Sequence, residues 1–134
     1  MTKILKGKKL VGGPAFEGEA LVSPEPIAFY GCIDPETGIG VEPGHSLEGK
    51  NVTGKILVYP TGKGSTANCN YLFAMSDTGK APMALIMEDP DPIQIVGAIM
   101  GKIPVLVCKE DPTANIHSGD RLRVDPETAT IEIL

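Results

Sequence analysis

Three short apolar runs in the middle of the chain decide most of what it can become. They lie at residues 55–59 (Lys-Ile-Leu-Val-Tyr), 83–87 (Met-Ala-Leu-Ile-Met) and 104–108 (Pro-Val-Leu-Val-Cys). Each has the length of a strand, and none alternates with polar residues, which is the pattern of strands covered on both faces. Between the first two, residues 65–78 contain neither Pro nor Gly, and Ala67, Tyr71, Leu72 and Met75 recur at helical spacing. Gly79 supplies a stop. Between the second and third runs, residues 92–100 form a short apolar segment opened by Pro92, which suits the first turn of a helix. The order strand–helix–strand–helix–strand predicts a small, mostly parallel sheet with right-handed crossovers.

The flanks read as β structure. Residues 4–11 carry Ile4, Leu5, Leu10 and Val11 among lysines and read as a strand, broken by Gly12-Gly13-Pro14. Residues 17–22 read as a second strand, expected to pair antiparallel with the first. Residues 27–31 are a short apolar piece with strand character. Residues 31–53 form a loop, punctuated by the turn chemistry of Asp34-Pro35-Glu36-Thr37-Gly38. A connection of that length in a small domain is uncommon and often functional. Near the C-terminus Asp125-Pro126-Glu127-Thr128 repeats the turn and predicts a hairpin between residues 121–124 and 130–134. The fold class expected is α/β, with a small, mostly parallel central sheet and an added β layer from the terminal strands. No linker divides the 134 residues, so 1–134 is expected to be one domain. Folding at this size removes roughly two thirds of the unfolded surface from water, enough for a core.

Composition closes several routes. With 42% hydrophobic and 22% charged residues the chain is ordinary for a globular protein. Its net charge is −5, its longest basic run is Lys6-Gly7-Lys8-Lys9, and aromatic residues make up 4% with no Trp. Neither a phosphate-tracking basic surface nor a base-stacking platform is indicated. No apolar run approaches the ~20 residues of a membrane span. The N-terminus lacks signal-peptide features, so a cytoplasmic location is expected. Cys32, Cys69 and Cys108 are odd in number and without a CxxC spacing. They suggest neither a disulfide framework nor a complete cluster site, and are expected as small buried or half-buried thiols. His45 and His117 are expected on surface loops. Asp89 and Asp91 are expected to stabilise a helix start.

Chemistry concentrates at Tyr59-Pro60-Thr61-Gly62-Lys63-Gly64-Ser65-Thr66-Ala67-Asn68, which joins a buried strand to a helix. In open α/β sheets ligands gather at the carboxyl ends of strands. Gly62 and Gly64 let a ligand approach the backbone, and the helix N-terminus presents free N–H groups where Ser65 and Thr66 stand. The pattern is not a P-loop, because Lys63 is followed by Gly64 and the leading glycine is absent. It is not a nucleophile elbow either, because Lys63 and Ala67 flank Ser65 where glycines are required. Ser65 therefore reads either as a helix N-cap or as a serine whose alkoxide is stabilised by backbone N–H groups. Lys63 reads as a solvated loop lysine or as its cationic neighbour.

The residues resemble the small subunit of the aconitase X family. The likeness rests on Gly18-Glu19-Ala20-Leu21-Val22-Ser23, on residues 30–38 (Tyr-Gly-Cys-Ile-Asp-Pro-Glu-Thr-Gly), on residues 49–58, on Pro60-Thr61-Gly62-Lys63-Gly64-Ser65, on Ala81-Pro82 and on Gly119-Asp120. It covers nearly the whole chain. The resemblance implies the swivelling β/β/α domain of aconitase-like enzymes. It also implies a heterodimer whose large subunit carries an iron–sulfur cluster and most of the active site, with no metal bound by this chain alone. By the Gly-x-Gly-Ser match, Ser65 would be the catalytic proton acceptor, with Gly62, Lys63, Gly64 and Thr66 beside it at the substrate. Family members of archaeal type, to which a separate small chain points, dehydrate (R)-5-phosphomevalonate to trans-anhydromevalonate 5-phosphate in a modified mevalonate route to isoprenoids. Relatives elsewhere act on cis-3-hydroxy-L-proline, which stands as the alternative substrate. A third reading is a non-catalytic interaction module in which Ser65 only caps a helix. A phosphohistidine carrier, with His45 as the better candidate, has no support from the surrounding residues.

Overall fold

The three apolar runs become the parallel strands β4 (Ile56–Tyr59), β5 (Ala84–Met87) and β6 (Val105–Val107) in a computed structural model that describes residues 3–134. Every residue in these strands is buried. Side chains alternate between faces, so each strand feeds two cores. Leu57, Tyr59, Leu85, Met87 and Val105 enter one, while Ile56, Val58, Ala84, Ile86 and Leu106 enter the other. The first core is closed by helices α1 (Asn68–Asp77) and α2 (Pro92–Gly101), through Leu72, Met75 and Ala98. The second is closed by the hairpin β7 (Arg121–Asp125) and β8 (Thr130–Ile133), through Leu122, Val124 and Ile131. A β layer, a β layer and a helical layer follow directly from a sheet with two dry faces, as expected for a swivelling β/β/α domain.

The flanking strands differ from expectation. Residues 4–11 are not one strand but two, β1 (Lys3–Lys6) and β2 (Lys8–Val11), separated by Gly7. β1 pairs antiparallel with β8 and β2 pairs antiparallel with β6. The strand at residues 17–22 does not pair with them. It is β3 (Phe16–Val22), whose first half runs antiparallel to β7 and whose second half runs parallel to β4. The strand order is β1-β8-β7-β3-β4-β5-β6-β2. Its two ends are joined by the single residue Gly7, so the sheet curls back on itself. Apolar composition marks residues that can face a core but not which strand lies alongside, so the sequence does not show these partners.

Residues 27–31 are not a strand. Ile27 makes one isolated bridge to Gly62, and Ile27, Ala28 and Phe29 are buried in the helix-side core. Residues 31–53 form a loop as expected, anchored by the buried Cys32, Ile33, Leu47 and Val52. At its first turn Gly38, at φ 77°, donates its N–H to the Asp34 carbonyl at 2.7 Å. Cys32 and Cys108 are buried and Cys69 is half-buried. Burial pushes the Cys32 and Cys108 thiols up. A four-residue helix, α3 (Pro112–Asn115), lies in a stretch that the sequence pattern left unassigned. Among the described residues no helix is long and apolar enough to cross a membrane.

Candidate active site

The turn from β4 to α1 is bound to the rest of the protein mainly through its backbone. The Pro60 carbonyl accepts from the N–H groups of Glu88 at 3.0 Å and Asp89 at 2.8 Å. Ile27 donates to the Thr61 carbonyl and accepts from the Lys63 N–H, both at 3.1 Å. The turn runs against the start of α2. A Cβ on Gly62 would collide with the Asp91 carboxylate and lie 2.6 Å from the Gln94 amide nitrogen. Gly62 is therefore demanded by the neighbouring helix. Gly64 is the reverse case, since nothing lies within 4 Å of where its Cβ would sit. It is the glycine whose backbone a ligand can reach.

Ser65 and Thr66 are exposed. The Ser65 Oγ accepts from the Ala67 N–H at 3.0 Å, and the Ser65 carbonyl accepts from the Asn68 N–H at 3.1 Å. Helix α1 begins three residues later than the Pro- and Gly-free stretch predicts, and its N-cap position is Ala67, without a side-chain bond. Ser65 thus organises the turn ahead of the helix and not the helix end itself. Among the described residues the N–H groups of Gly64, Ser65 and Thr66 have no hydrogen-bond partner. They stand at the positive end of a ten-residue helix.

Lys63 is not a free cation. Its Nζ lies 3.0 Å from both carboxylate oxygens of Glu42, which comes from the long loop. That loop is itself fastened beside the turn. The Glu25 carboxylate accepts from the Ser46 N–H at 2.8 Å, and this bond holds its carboxyl below the usual range. His45 is buried, contrary to the surface position expected of it. Its Nδ1 accepts from the Leu47 N–H at 3.0 Å and its Nε2 donates to the Pro26 carbonyl at 2.9 Å. With both ring nitrogens engaged by backbone, His45 has no free nitrogen for phosphotransfer. His117 is exposed, as expected.

Sequence reasoning gave no role to Asn68 and Gln94, which are completely buried. Gln94 donates to the Ile27 carbonyl at 2.7 Å and accepts from the Tyr59 hydroxyl at 2.6 Å. Asn68 donates to the Lys63 carbonyl at 2.8 Å and accepts from the Tyr30 N–H at 2.9 Å. A polar residue on the inner face of a predicted helix was the available signal. Its partners, up to 67 residues away, left no trace in the sequence.

The family model described as the aconitase X swivel domain matches residues 4–133. The chain belongs to this family. The small subunit of phosphomevalonate dehydratase from Pyrococcus abyssi is 42% identical over 130 residues, covering 97% of this chain and 98% of the relative. Its counterpart from Methanosarcina acetivorans is 42% identical over 131 residues, covering 97% and 90%. The crystal structure of Thermococcus kodakaraensis aconitase X in its holo form superposes with a TM-score of 0.92 at 40% identity, covering 98% of each chain. In this swivel domain, no group of three or more His, Cys, Asp or Glu side chains among the described residues could hold a metal ion. The residues present do not fit an iron–sulfur cluster.

Proposed function

We propose that this chain is the small subunit of a heteromeric hydro-lyase that dehydrates (R)-5-phosphomevalonate, with Ser65 as the proton acceptor. The single observation that carries the chemical role is the exposed Ser65 on a fastened turn, beside N–H groups without partners. The substrate and the large-subunit partner follow from the full-length relatives named above. An alcohol is hardly ionised near neutral pH, so a serine base needs its alkoxide stabilised. The Ala67 N–H bonded to the Oγ at 3.0 Å and the field of α1 supply that stabilisation. Removing the proton next to the substrate carboxylate, with departure of the hydroxyl on the adjacent carbon, forms the carbon–carbon double bond of the product. Among the described residues there is no ligand set for an iron–sulfur cluster; in this reading a cluster and the departure of the hydroxyl belong to the partner. Lys63 is paired with Glu42 across a partly exposed contact, and in this reading it stands with its neighbours in the turn at the substrate. Gly62, Gly64 and Thr66 shape the surface on which the reacting end of the substrate lies.

The test is turnover after anaerobic co-expression with the large subunit, with 5-phosphomevalonate and cis-3-hydroxy-L-proline supplied separately. Phosphomevalonate is expected to be dehydrated only when both subunits are present. Ser65→Ala is expected to lower kcat by roughly 10²–10⁴-fold, the usual contribution of a positioned base. Full turnover by Ser65→Ala removes the base assignment. Turnover of hydroxyproline alone replaces the substrate.

A further inference from the structure

Asn68 is the first residue of α1 and is completely buried. A buried amide is costly unless both its ends are paired. Here both are, and neither bond serves the helix. The side-chain Nδ2 reaches back to the Lys63 carbonyl at 2.8 Å, and Oδ1 accepts from the Tyr30 N–H at 2.9 Å. The backbone N–H of the same residue donates to the Ser65 carbonyl at 3.1 Å. One residue therefore holds the carbonyls on both sides of Gly64. Gly64 has open space around it and no side chain to anchor it. The Lys63 N–H is tied to the Ile27 carbonyl, so the Asn68 amide completes the fixing of Lys63 at both its N–H and its C=O. The same amide fixes the backbone of Tyr30, whose half-exposed ring stands edge-on to Tyr71 with centroids 4.9 Å apart.

We infer that Asn68 is a positioning residue for Ser65. Its amide bridges Lys63 and Tyr30, and this bridge sets the direction of the Ser65 Oγ and of the free N–H groups of Gly64, Ser65 and Thr66. The inference rests on the reading of Ser65 as proton acceptor. Only a side chain with a donor and an acceptor at this reach meets both demands. Aspartate matches the shape but turns oxygen lone pairs toward the Lys63 carbonyl, and alanine leaves both groups without a partner.

The experiment compares Asn68→Asp, Asn68→Ala, Ser65→Ala and the double variant Ser65→Ala/Asn68→Asp, each in complex with the large subunit and assayed with 5-phosphomevalonate. Asn68→Asp is expected to form the complex and to lose kcat on the order of 100-fold, the scale of a misplacement of about 1 Å. KM is expected to move by less than about threefold, because the interaction acts in the transition state. The double variant is expected to be no slower than Ser65→Ala alone, since both changes act on one group. Hydrogen exchange of the hydrogen-bonded Tyr30, Lys63 and Ala67 N–H groups in the assembled complex is expected to rise in Asn68→Asp. A normal kcat, a double variant slower than Ser65→Ala, or unchanged exchange overturns the inference. If Asn68→Asp does not assemble, Asn68→Ala decides by the same kcat and exchange criteria. Failure of both to assemble assigns Asn68 a purely structural role and overturns the inference as well. Failure of the base assignment is seen separately, as full turnover by Ser65→Ala, and the exchange measurement then still judges Asn68.

Discussion

Tyr59 closes β4 as an apolar residue by pattern, yet its hydroxyl is as important as its ring. It is fully buried and donates to Gln94 Oε1 at 2.6 Å, which turns the Gln94 amide nitrogen toward the Ile27 carbonyl at 2.7 Å. Ile27 in turn holds Lys63. Tyr59→Phe leaves a buried amide oxygen unpaired and is expected to cost about 1–3 kcal/mol at pH 8. Burial pushes the phenol well above its ordinary value of 10.0, and the Asp91 carboxylate adds to the effect. A group with a raised pKa in the folded state gives its full stabilisation below about pH 10 and loses it as pH rises beyond that point. Wild type should therefore lose stability above pH 10 more steeply than Tyr59→Phe. Urea unfolding of both proteins at pH 8 and pH 11 checks this, with the gap narrowing at the higher pH. A gap that stays constant would mean that Tyr59 ionises alike in the folded and unfolded chain. None of this was legible in the sequence, where Tyr59 is the last letter of an apolar run. The hydroxyl's partner is 35 residues away on another element.

At the scale of elements, the two helices were legible to different degrees. For α2 the start signal is local. Asp91 precedes Pro92, and Asp91 Oδ1 accepts from the Ile93 N–H at 2.9 Å, which bears out the reading of this aspartate as a helix-start residue. Asp91→Ala is expected to lower stability by about 1 kcal/mol, seen as a lower urea midpoint at unchanged slope. A larger loss would mean that the helix start also holds the turn at Gly62, which passes against the same carboxylate. For α1 the absence of Pro and Gly after Gly64 suggested an earlier start than the structure has. Residues 65–67 could continue the helix by propensity, but the Ser65 Oγ takes the Ala67 N–H and the Asn68 side chain takes the Lys63 carbonyl. Short polar side chains that bond nearby backbone compete with helix at its ends. The result leaves Ser65 exposed ahead of the helix.

For the whole molecule, the parallel core was readable because a strand with two dry faces cannot hide its composition. The closure was not, because residues 4–11, with Ile4, Leu5, Leu10 and Val11 among lysines, read as one strand. What separates β1 from β2 is Gly7. A Cβ there would sit 2.6 Å from the Val107 carbonyl oxygen, and the Gly7 N–H donates to the Ala129 carbonyl at 2.8 Å. Next to it, the Cys108 thiol donates to the Lys6 carbonyl at 3.4 Å. This short segment joins the antiparallel layer to the parallel one, so it closes the core between them. Gly7→Ala forces backbone apart at that closure and is expected to cost about 1–3 kcal/mol, as overpacking does. The control is Gly12→Ala, five residues on, where the added methyl meets only the flexible end of the Lys9 side chain at 3.3 Å. That change is expected to stay within about 0.5 kcal/mol. Hydrogen exchange distinguishes a local effect from loss of closure. In Gly7→Ala, faster exchange should reach both β6 and β8, which pair with β2 and β1 at opposite ends of the strand order. Faster exchange at β1 alone would mean that the curled sheet holds without its joint.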